Sequence, residues 1–348
     1  MRVRPTEGLQ IDGFTLGAQL HKGGFATVWD VTHPDHALPM VMKVPTILDG
    51  DDAPTIVGFE VEQMIMPRLS GVHVPKVVAI GDFAVMPYIV TERIPGDSLL
   101  ATFTRAPLPM SDLLEVMARM AAAVHDLHRQ HVLHLDLKPA NFLQRPSGEM
   151  VLVDFGLSRH DHLPDLLEEE FRLPMGTGPY MSPEQVQFVR NDPRSDLFAL
   201  GVMLYHLSTG QRPFGQPHTV SGLRKRLYTD PVPPRAIKPD LPPWLQEVIL
   251  RCLEVDPDKR YQSAAQIAQD LQHPDQIALT PRADRLGTSG KLKTLSRWFK
   301  AMGNEPKVET TTVGHVERCP IIMVAIGVKT GTPELDQKLL STVRRILQ

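Results

Sequence analysis

The residues best suited to chemistry lie close together. Asp136, Lys138 and Asn141 share the stretch His134-Leu135-Asp136-Leu137-Lys138-Pro139-Ala140-Asn141, and Asp154-Phe155-Gly156 begins thirteen residues later. Phosphoryl transfer from ATP needs a carboxylate beside the acceptor hydroxyl, which Asp136 can supply, and oxygen ligands for magnesium, which Asn141 and Asp154 can supply. Lys138 can neutralise charge on the moving phosphoryl group. The transition state of such a transfer is loose and mostly electrostatic, so the task is to hold metal, nucleotide and hydroxyl in line. No covalent intermediate and no Ser-His-Asp arrangement is required.

The elements that must position these groups fall into two kinds. From Phe14 to about Thr91, short apolar runs (Phe14 to Leu16, Thr27 to Trp29, Val41 to Val44, Val77 to Ile80, Ile89 to Thr91) are separated by Gly, Pro and Asp and read as strands. Val61, Ile65 and Leu69 recur four apart, which predicts one helix with Glu62 just off its apolar face. After about Pro95 the pattern turns helical. Leu113, Met117, Met120, Val124 and Leu127 predict a buried amphipathic helix behind a cap at Ser111; further helices are expected from Asp196 to Thr209, stopped by Gly210, and from Trp244 to Leu253. Two unequal lobes follow.

At 348 residues, with 42% hydrophobic and 22% charged residues, the chain can bury a sizeable core and has a globular balance. The formal net charge of −3 gives no general reason to expect nucleic acid or an acidic membrane as partner. Cys252 and Cys319 are too few and too far apart for a disulfide framework or a cysteine-based zinc site. The N-terminus lacks the apolar run of a signal peptide, and Pro320 to Val328 is too short to span a bilayer, so a cytoplasmic location is the expectation.

The catalytic stretch and Asp154-Phe155-Gly156 resemble the catalytic loop and metal-binding loop of the eukaryotic-like, or Hanks-type, Ser/Thr protein kinase family. Other motifs of the family occur in order. His21-Lys22-Gly23-Gly24-Phe25-Ala26-Thr27-Val28 resembles the glycine-rich phosphate loop, with His21 and Ala26 standing at its first and third glycine positions. Val41-Met42-Lys43 resembles the strand that presents the phosphate-binding lysine, and Glu62 its ion-pair partner; Glu60, the competing choice, would lie about 200° around the helix. Ile89 to Ile94 resembles the hinge, which implies that the Glu92 carbonyl and Ile94 backbone groups hold adenine, that Thr91 is gatekeeper, and that Asp97 approaches the ribose.

Gly176-Thr177, Ser182-Pro183-Glu184, Asp196 with Gly201, and Arg260 resemble the peptide-positioning segment and its framework, with a buried Glu184–Arg260 pair implied. The run Tyr180 to Gln185 is bacterial in style, and Lys138-Pro139 resembles Ser/Thr rather than tyrosine kinases. The resemblance implies an α+β, two-lobed protein kinase fold over 14–272, with a small lobe of about 14–94 and a larger helical lobe of about 95–272. It further implies ATP with magnesium, manganese being the alternative ion, and protein substrates, the chain itself among them. A nucleotide-binding pseudokinase scaffold and a small-molecule kinase are the alternatives: the irregular phosphate loop favours the first, and the Ser-Pro-Glu segment argues against the second.

Two departures bear on regulation. Leu135 stands where most of the family has arginine, and leucine cannot grip a phosphate. The segment Leu157 to Gly176 contains a single hydroxyl residue, Ser158, alongside Asp161, Asp165 and Glu168 to Glu170. The expectation is activity independent of phosphorylation there, with the acidic run either a permanent substitute charge or a solvated loop face. Blander readings apply elsewhere. His134 is expected to pack rather than move protons, His125, His128 and His131 have helical spacing but no evident carboxylate for a metal site, and Asp12, Asp30 and Asp51 read as surface charges.

Beyond His273 the composition shifts. Thr280 to Gly303 holds six basic residues and one acidic, a local +5 that leaves −8 on the remainder. Residues 273–311 are expected to form a basic linker whose Leu292, Leu295, Phe299 and Met302, interleaved with Lys291, Lys293, Arg297 and Lys300, dock on the acidic kinase body or a partner in preference to an anionic membrane; Thr288, Ser289 and Thr294 are candidate autophosphorylation sites. Residues 312–348 read as a β-α extension that resembles the first unit of a universal-stress-protein-like domain.

Overall fold

A computed structural model of the chain describes residues 5–24, 26–46, 53–83, 86–170, 174–288 and 291–303. Strands β1 (Gln10–Ile11), β2 (Phe14–Lys22), β3 (Ala26–His33), β4 (His36–Pro45), β5 (Val77–Ile80) and β6 (Ile89–Glu92) form a six-stranded antiparallel sheet of order β1-β2-β3-β4-β6-β5, and helix α1 (Ala53–Ile65) falls between β4 and β5 in the chain. The period-2 alternation of a strand decides which way each side chain of β4 points. Met40, Met42 and Val44 are buried with Phe14, Trp29 and Val90 on one face. Lys43 is thereby turned to the opposite face, paired in register with Val28 and Ile89. Two expected surface carboxylates have partners: Asp12 accepts from the Tyr88 hydroxyl at 2.7 Å and Asp30 pairs with Arg93 at 3.1 Å.

Helix α1 is shorter than its sequence pattern. Ile65 ends it, Met66–Arg68 form a single tighter turn with Pro67 inside, and Leu69 is extended, with ψ 146°. Proline has no N–H for the next helical bond, so the third member of the apolar series falls outside the helix. Val61 and Ile65 still face the core, and Glu62 is buried.

The second lobe is mainly helical. It contains α2 (Leu100–Thr104), α3 (Met110–His128), the short strands β7 (Val132–Leu133), β8 (Phe142–Gln144), β9 (Met150–Leu152) and β10 (Arg159–His160), then α4 (Leu166–Glu170), α5 (Pro183–Val186), α6 (Arg194–Thr209), α7 (Val220–Arg224), α8 (Pro234–Ile237), α9 (Pro243–Cys252), α10 (Ala264–Gln272) and α11 (Lys291–Gly303). Helix α3 buries Leu113, Met117, Met120, Val124 and Leu127, the predicted stripe. Its cap differs: Pro109 flanks the first turn, and Ser111 donates to Asp112 instead. Helix α6 starts at Arg194 and ends at Gly210, whose φ of 76° is the left-handed conformation that glycine adopts most cheaply.

The segment expected as a linker is fixed to this lobe over its first part. Ala283 is buried, Gln246 Nε2 donates to the carbonyls of Arg282, Ala283 and Arg285 at 2.8 to 3.0 Å, and Arg282 bridges Glu247 and Glu254. Further on, Arg285 and Arg297 both pair with Asp230. Three arginines of this basic stretch, Arg282, Arg285 and Arg297, thus have acidic partners on the lobe. Among the described residues no helix is long and apolar enough to cross a membrane. The β-α reading of 312–348, the loop tip Phe25, Asp51 and Ser289 lie outside the described residues.

Candidate active site

Lys43 Nζ stands between two carboxylates, 2.6 Å from Glu62 Oε2 and 2.8 Å from Asp154 Oδ1. One ammonium thus joins β4, α1 and the loop after β9. Burial opposes its charge, but the two carboxylates outweigh that effect and push the ammonium above the ordinary lysine range. In turn Lys43 holds the Asp154 carboxyl down at about 2, so Asp154 is ionised at any working pH.

The loop between β7 and β8 carries Asp136, Lys138 and Asn141. Asp136 Oδ1 accepts from the Thr177 N–H and hydroxyl, both at 2.7 Å, and Oδ2 accepts from Lys138 Nζ at 2.6 Å. Lys138 also reaches Thr177 Oγ1 at 3.2 Å. A carboxylate offers about four lone-pair sites, so three are engaged and one on Oδ2 remains for an incoming hydroxyl. Asn141 commits its side-chain nitrogen to the Asp136 carbonyl at 3.0 Å, which presents its oxygen as the free end.

Both loops are held in uncommon backbone conformations, with φ of 61° at Leu135 and 68° at Asp154. Asp196, buried at the start of α6, fixes the first by accepting from the His134 and Leu135 N–H groups at 2.8 and 2.9 Å and from His128 Nε2 at 2.8 Å. His128 therefore does have a carboxylate partner, in a framework role. His134 is fully buried, with its ring 5.2 Å from that of Phe155.

In the segment that resembles the phosphate loop, His21 pairs with Val28 and Lys22 with Thr27 across β2 and β3, and Gly23 N–H donates to the Ala26 carbonyl at 2.9 Å. Gly24 has open space around its Cα. At the back, Thr91 and Ile94 are buried, Glu92 pairs with Arg145 at 2.6 Å, and Asp97 is exposed at the lip. The turn between them requires glycine at 96, since a Cβ there would sit 1.9 Å from the Gln144 carbonyl oxygen. Of the site residues named from sequence, hydrogen bonds join Lys43 to Glu62 and Asp154, Asp136 to Lys138 and Asn141, and Glu184 to Arg260, while Asp196 holds the loop that carries Asp136.

The family model for the protein kinase domain matches residues 14–274. The chain belongs to the Hanks-type protein kinase family. It is 33% identical over 207 residues to serine/threonine-protein kinase PknB of Mycolicibacterium smegmatis, a match covering 58% of this chain and 33% of that protein. It is 29% identical over 270 residues to PknL of Mycobacterium tuberculosis, covering 77% and 67%. The chain thus spans about a third of the length of the PknB relative. The crystal structure of the Mycobacterium tuberculosis PknI kinase domain superposes with a TM-score of 0.60 at 23% identity, covering 78% of this chain and 99% of that one, a likeness of fold.

Within the kinase domain, the framework around the implied Glu184–Arg260 pair includes Ser195 and Arg226, which sequence reading left without roles. Glu184 and Arg260 form a buried two-point ion pair, with Nη2–Oε2 at 2.8 Å, and Ser195 adds a bond to Glu184 at 3.0 Å. Arg226, also buried and without a carboxylate, donates to the carbonyls of Gly178, at 2.8 Å, and Met181. Burial pulls its pKa to about 10, which leaves it charged. A column of rings joins the two arginines: Arg226 lies 5.4 Å from Phe214, Phe214 stacks on Phe198 at 5.7 Å, and Arg260 covers Phe198 at 5.0 Å.

Gln185 ties this framework to the catalytic loop, donating from Nε2 to the Leu135 carbonyl at 2.6 Å. Ser182-x-x-Gln185 is a capping box, a pattern readable in sequence that could have singled Gln185 out. Gln185→Ala leaves that buried carbonyl unpaired. The expected loss is roughly 1–3 kcal/mol in chemical denaturation, with a fall in kcat rather than a rise in the KM for ATP.

Proposed function

We propose that the chain is an active Ser/Thr protein kinase that transfers the γ-phosphate of ATP to hydroxyls of protein substrates. The observation that carries this reading is the Lys43 bridge between Glu62 and Asp154, which brings strand, helix and metal loop into one register. Lys43 anchors phosphate, with Glu62 orienting it. His21, Gly23, Gly24, Ala26 and Val28 cover the phosphates, Glu92 and Ile94 take adenine beside the Thr91 gatekeeper, and Asp97 takes the ribose. The oxygens of Asn141 and Asp154 suit a hard divalent ion, which when bound would supply charge neutralisation to the phosphates.

Asp136 accepts the proton of the acceptor hydroxyl at the remaining site on Oδ2, while Thr177 fixes the carboxylate's orientation from the other oxygen. Lys138, bonded to both, lies where it meets charge developing on the phosphoryl oxygens. The test is incubation of the full chain with γ-labelled ATP, magnesium and a protein acceptor. Labelled phosphoserine or phosphothreonine is expected, whereas label found only on small molecules would favour a small-molecule kinase. The domain division adopted is 14–272 for the kinase, with 273–311 and 312–348 as appendage and β-α extension.

The finer part of the proposal is independence from activation-segment phosphorylation. Ser158 is buried and donates to the His134 carbonyl at 3.1 Å, so the segment's single hydroxyl is already engaged. Asp165 occupies the charge role: it pairs with Arg190 at 2.9 Å and Arg159 at 3.7 Å, and Arg190 also donates to the Leu157 carbonyl. The Asp165 and Arg190 side chains are each 7% exposed, so the pair is largely shielded from solvent. Phosphatase treatment should leave transfer unchanged, and Asp165→Asn should lower it roughly ten-fold, the effect of ~1.4 kcal/mol in segment ordering. Activity abolished by phosphatase, with the lost phosphate mapped to 157–176, contradicts this part.

A further inference from the structure

The segment after α6 carries positive charge that no carboxylate within it balances. Between Gly210 and Thr229 the chain holds Arg212, Arg224, Lys225, Arg226 and His218, and no carboxylate. Arg224 and Lys225 are exposed. The next acidic residue, Asp230, is engaged by Arg285 and Arg297 of the C-terminal segment, which removes its field from the patch. Arg226 is consumed in holding backbone carbonyls. Arg212 is different: among the described residues it enters no ion pair, and its Nε is buried without a hydrogen-bond partner.

Arg212 is linked to the Asp136 recess through Tyr180. Asp136, Thr177 and Tyr180 line one recess, the Tyr180 N–H donates to the Thr177 carbonyl at 2.9 Å, and the Arg212 guanidinium lies 5.9 Å from the centre of the Tyr180 ring. Its titratable neighbour, His206, is pushed toward the neutral form by burial and by Arg212 itself. The side-chain hydrogen bond of Arg212 to Tyr180 engages a neutral phenol and supplies no counter-charge, so the half-buried guanidinium stays electrostatically uncompensated, and a fork of N–H donors matches carboxylate and phosphate alike. Resting on the kinase reading above, we infer that the protein substrate carries an anionic side chain within a few residues of its acceptor hydroxyl, and that Arg212 is the residue that binds it. Arg224 and Lys225 at the rim extend the preference to acidic surroundings generally.

The test uses the full chain with magnesium, ATP and serine peptides in which glutamate, phosphoserine, glutamine or arginine is scanned through the three positions on either side of the acceptor, and reads kcat/KM. At one position or more, glutamate or phosphoserine should exceed glutamine by ~10-fold, and Arg212→Glu should invert the order in favour of arginine. Equal use of glutamate and phosphoserine identifies a carboxylate as sufficient; use of phosphoserine alone identifies a previously phosphorylated substrate, and both support the inference. Wild-type preference for neutral or basic flanks, or an acidic preference that survives Arg212→Glu, overturns it while leaving the kinase reading intact. Failure to phosphorylate any peptide or protein overturns both.

Discussion

Asp136→Asn should reduce phosphate transfer by roughly 10²–10⁴-fold while leaving nucleotide affinity near its wild-type value. Asparagine is nearly isosteric and can still accept from Thr177 through its oxygen, so the loop keeps its shape. It loses the negative charge that Lys138 faces at 2.6 Å and the basicity that takes the acceptor's proton. Lys43, the proposed phosphate anchor, and Glu62, which orients it, bond to each other and to Asp154 rather than to Asp136. Single-turnover transfer measured beside equilibrium nucleotide binding separates the two effects. A parallel loss of binding would place Asp136 in nucleotide contact instead.

Arg260→Met is expected to be the most damaging change outside the cleft, destabilising the protein by about 3–5 kcal/mol, with a fall in melting midpoint on the order of 10 °C. The guanidinium is fully buried and satisfies both oxygens of Glu184 together with the carbonyls of Glu254, Arg194 and Val255. Methionine leaves a buried carboxylate and three carbonyls without that partner, and removes the cation over Phe198. Glu184→Gln should cost less, because its oxygen still accepts from Ser195 or Arg260. Differential scanning calorimetry of the two variants orders them. Equal losses would mean that the ion pair alone, rather than the carbonyl bonds, accounts for the effect.

The two catalytic loops are legible in the sequence because the chemistry demands particular residue types at short spacing: a carboxylate, a lysine and an amide within six residues, then a second carboxylate. Short-range rules also located β5, α6 and the stripe of α3. They misplaced Leu69 because periodicity was carried through Pro67, and they put a cap at Ser111 where a proline begins the helix. What spacing does not contain is which distant groups meet. Asp165 is open in sequence to two readings, a substitute charge or a solvated loop face, and nothing in the spacing points to Arg190, 25 residues on, which only the folded loop brings to 2.9 Å. Arg226 is hidden for the same reason, since its partners are backbone carbonyls and leave no mark on side-chain composition. The basic stretch near Thr280 looked like a linker because Glu247 and Glu254, its partners, lie in helix α9 and the turn after it.

The most direct test of the central claim, that the Lys43–Glu62–Asp154 constellation supports phosphate transfer to protein, compares wild type with Asp154→Asn. Both are incubated with γ-labelled ATP and magnesium, and label is read on serine and threonine of the chain itself and of an added acceptor. Label on wild type that falls at least ~10²-fold in the variant is the predicted result. Equal labelling by both proteins, or no labelling by a folded wild type that binds nucleotide, contradicts the claim.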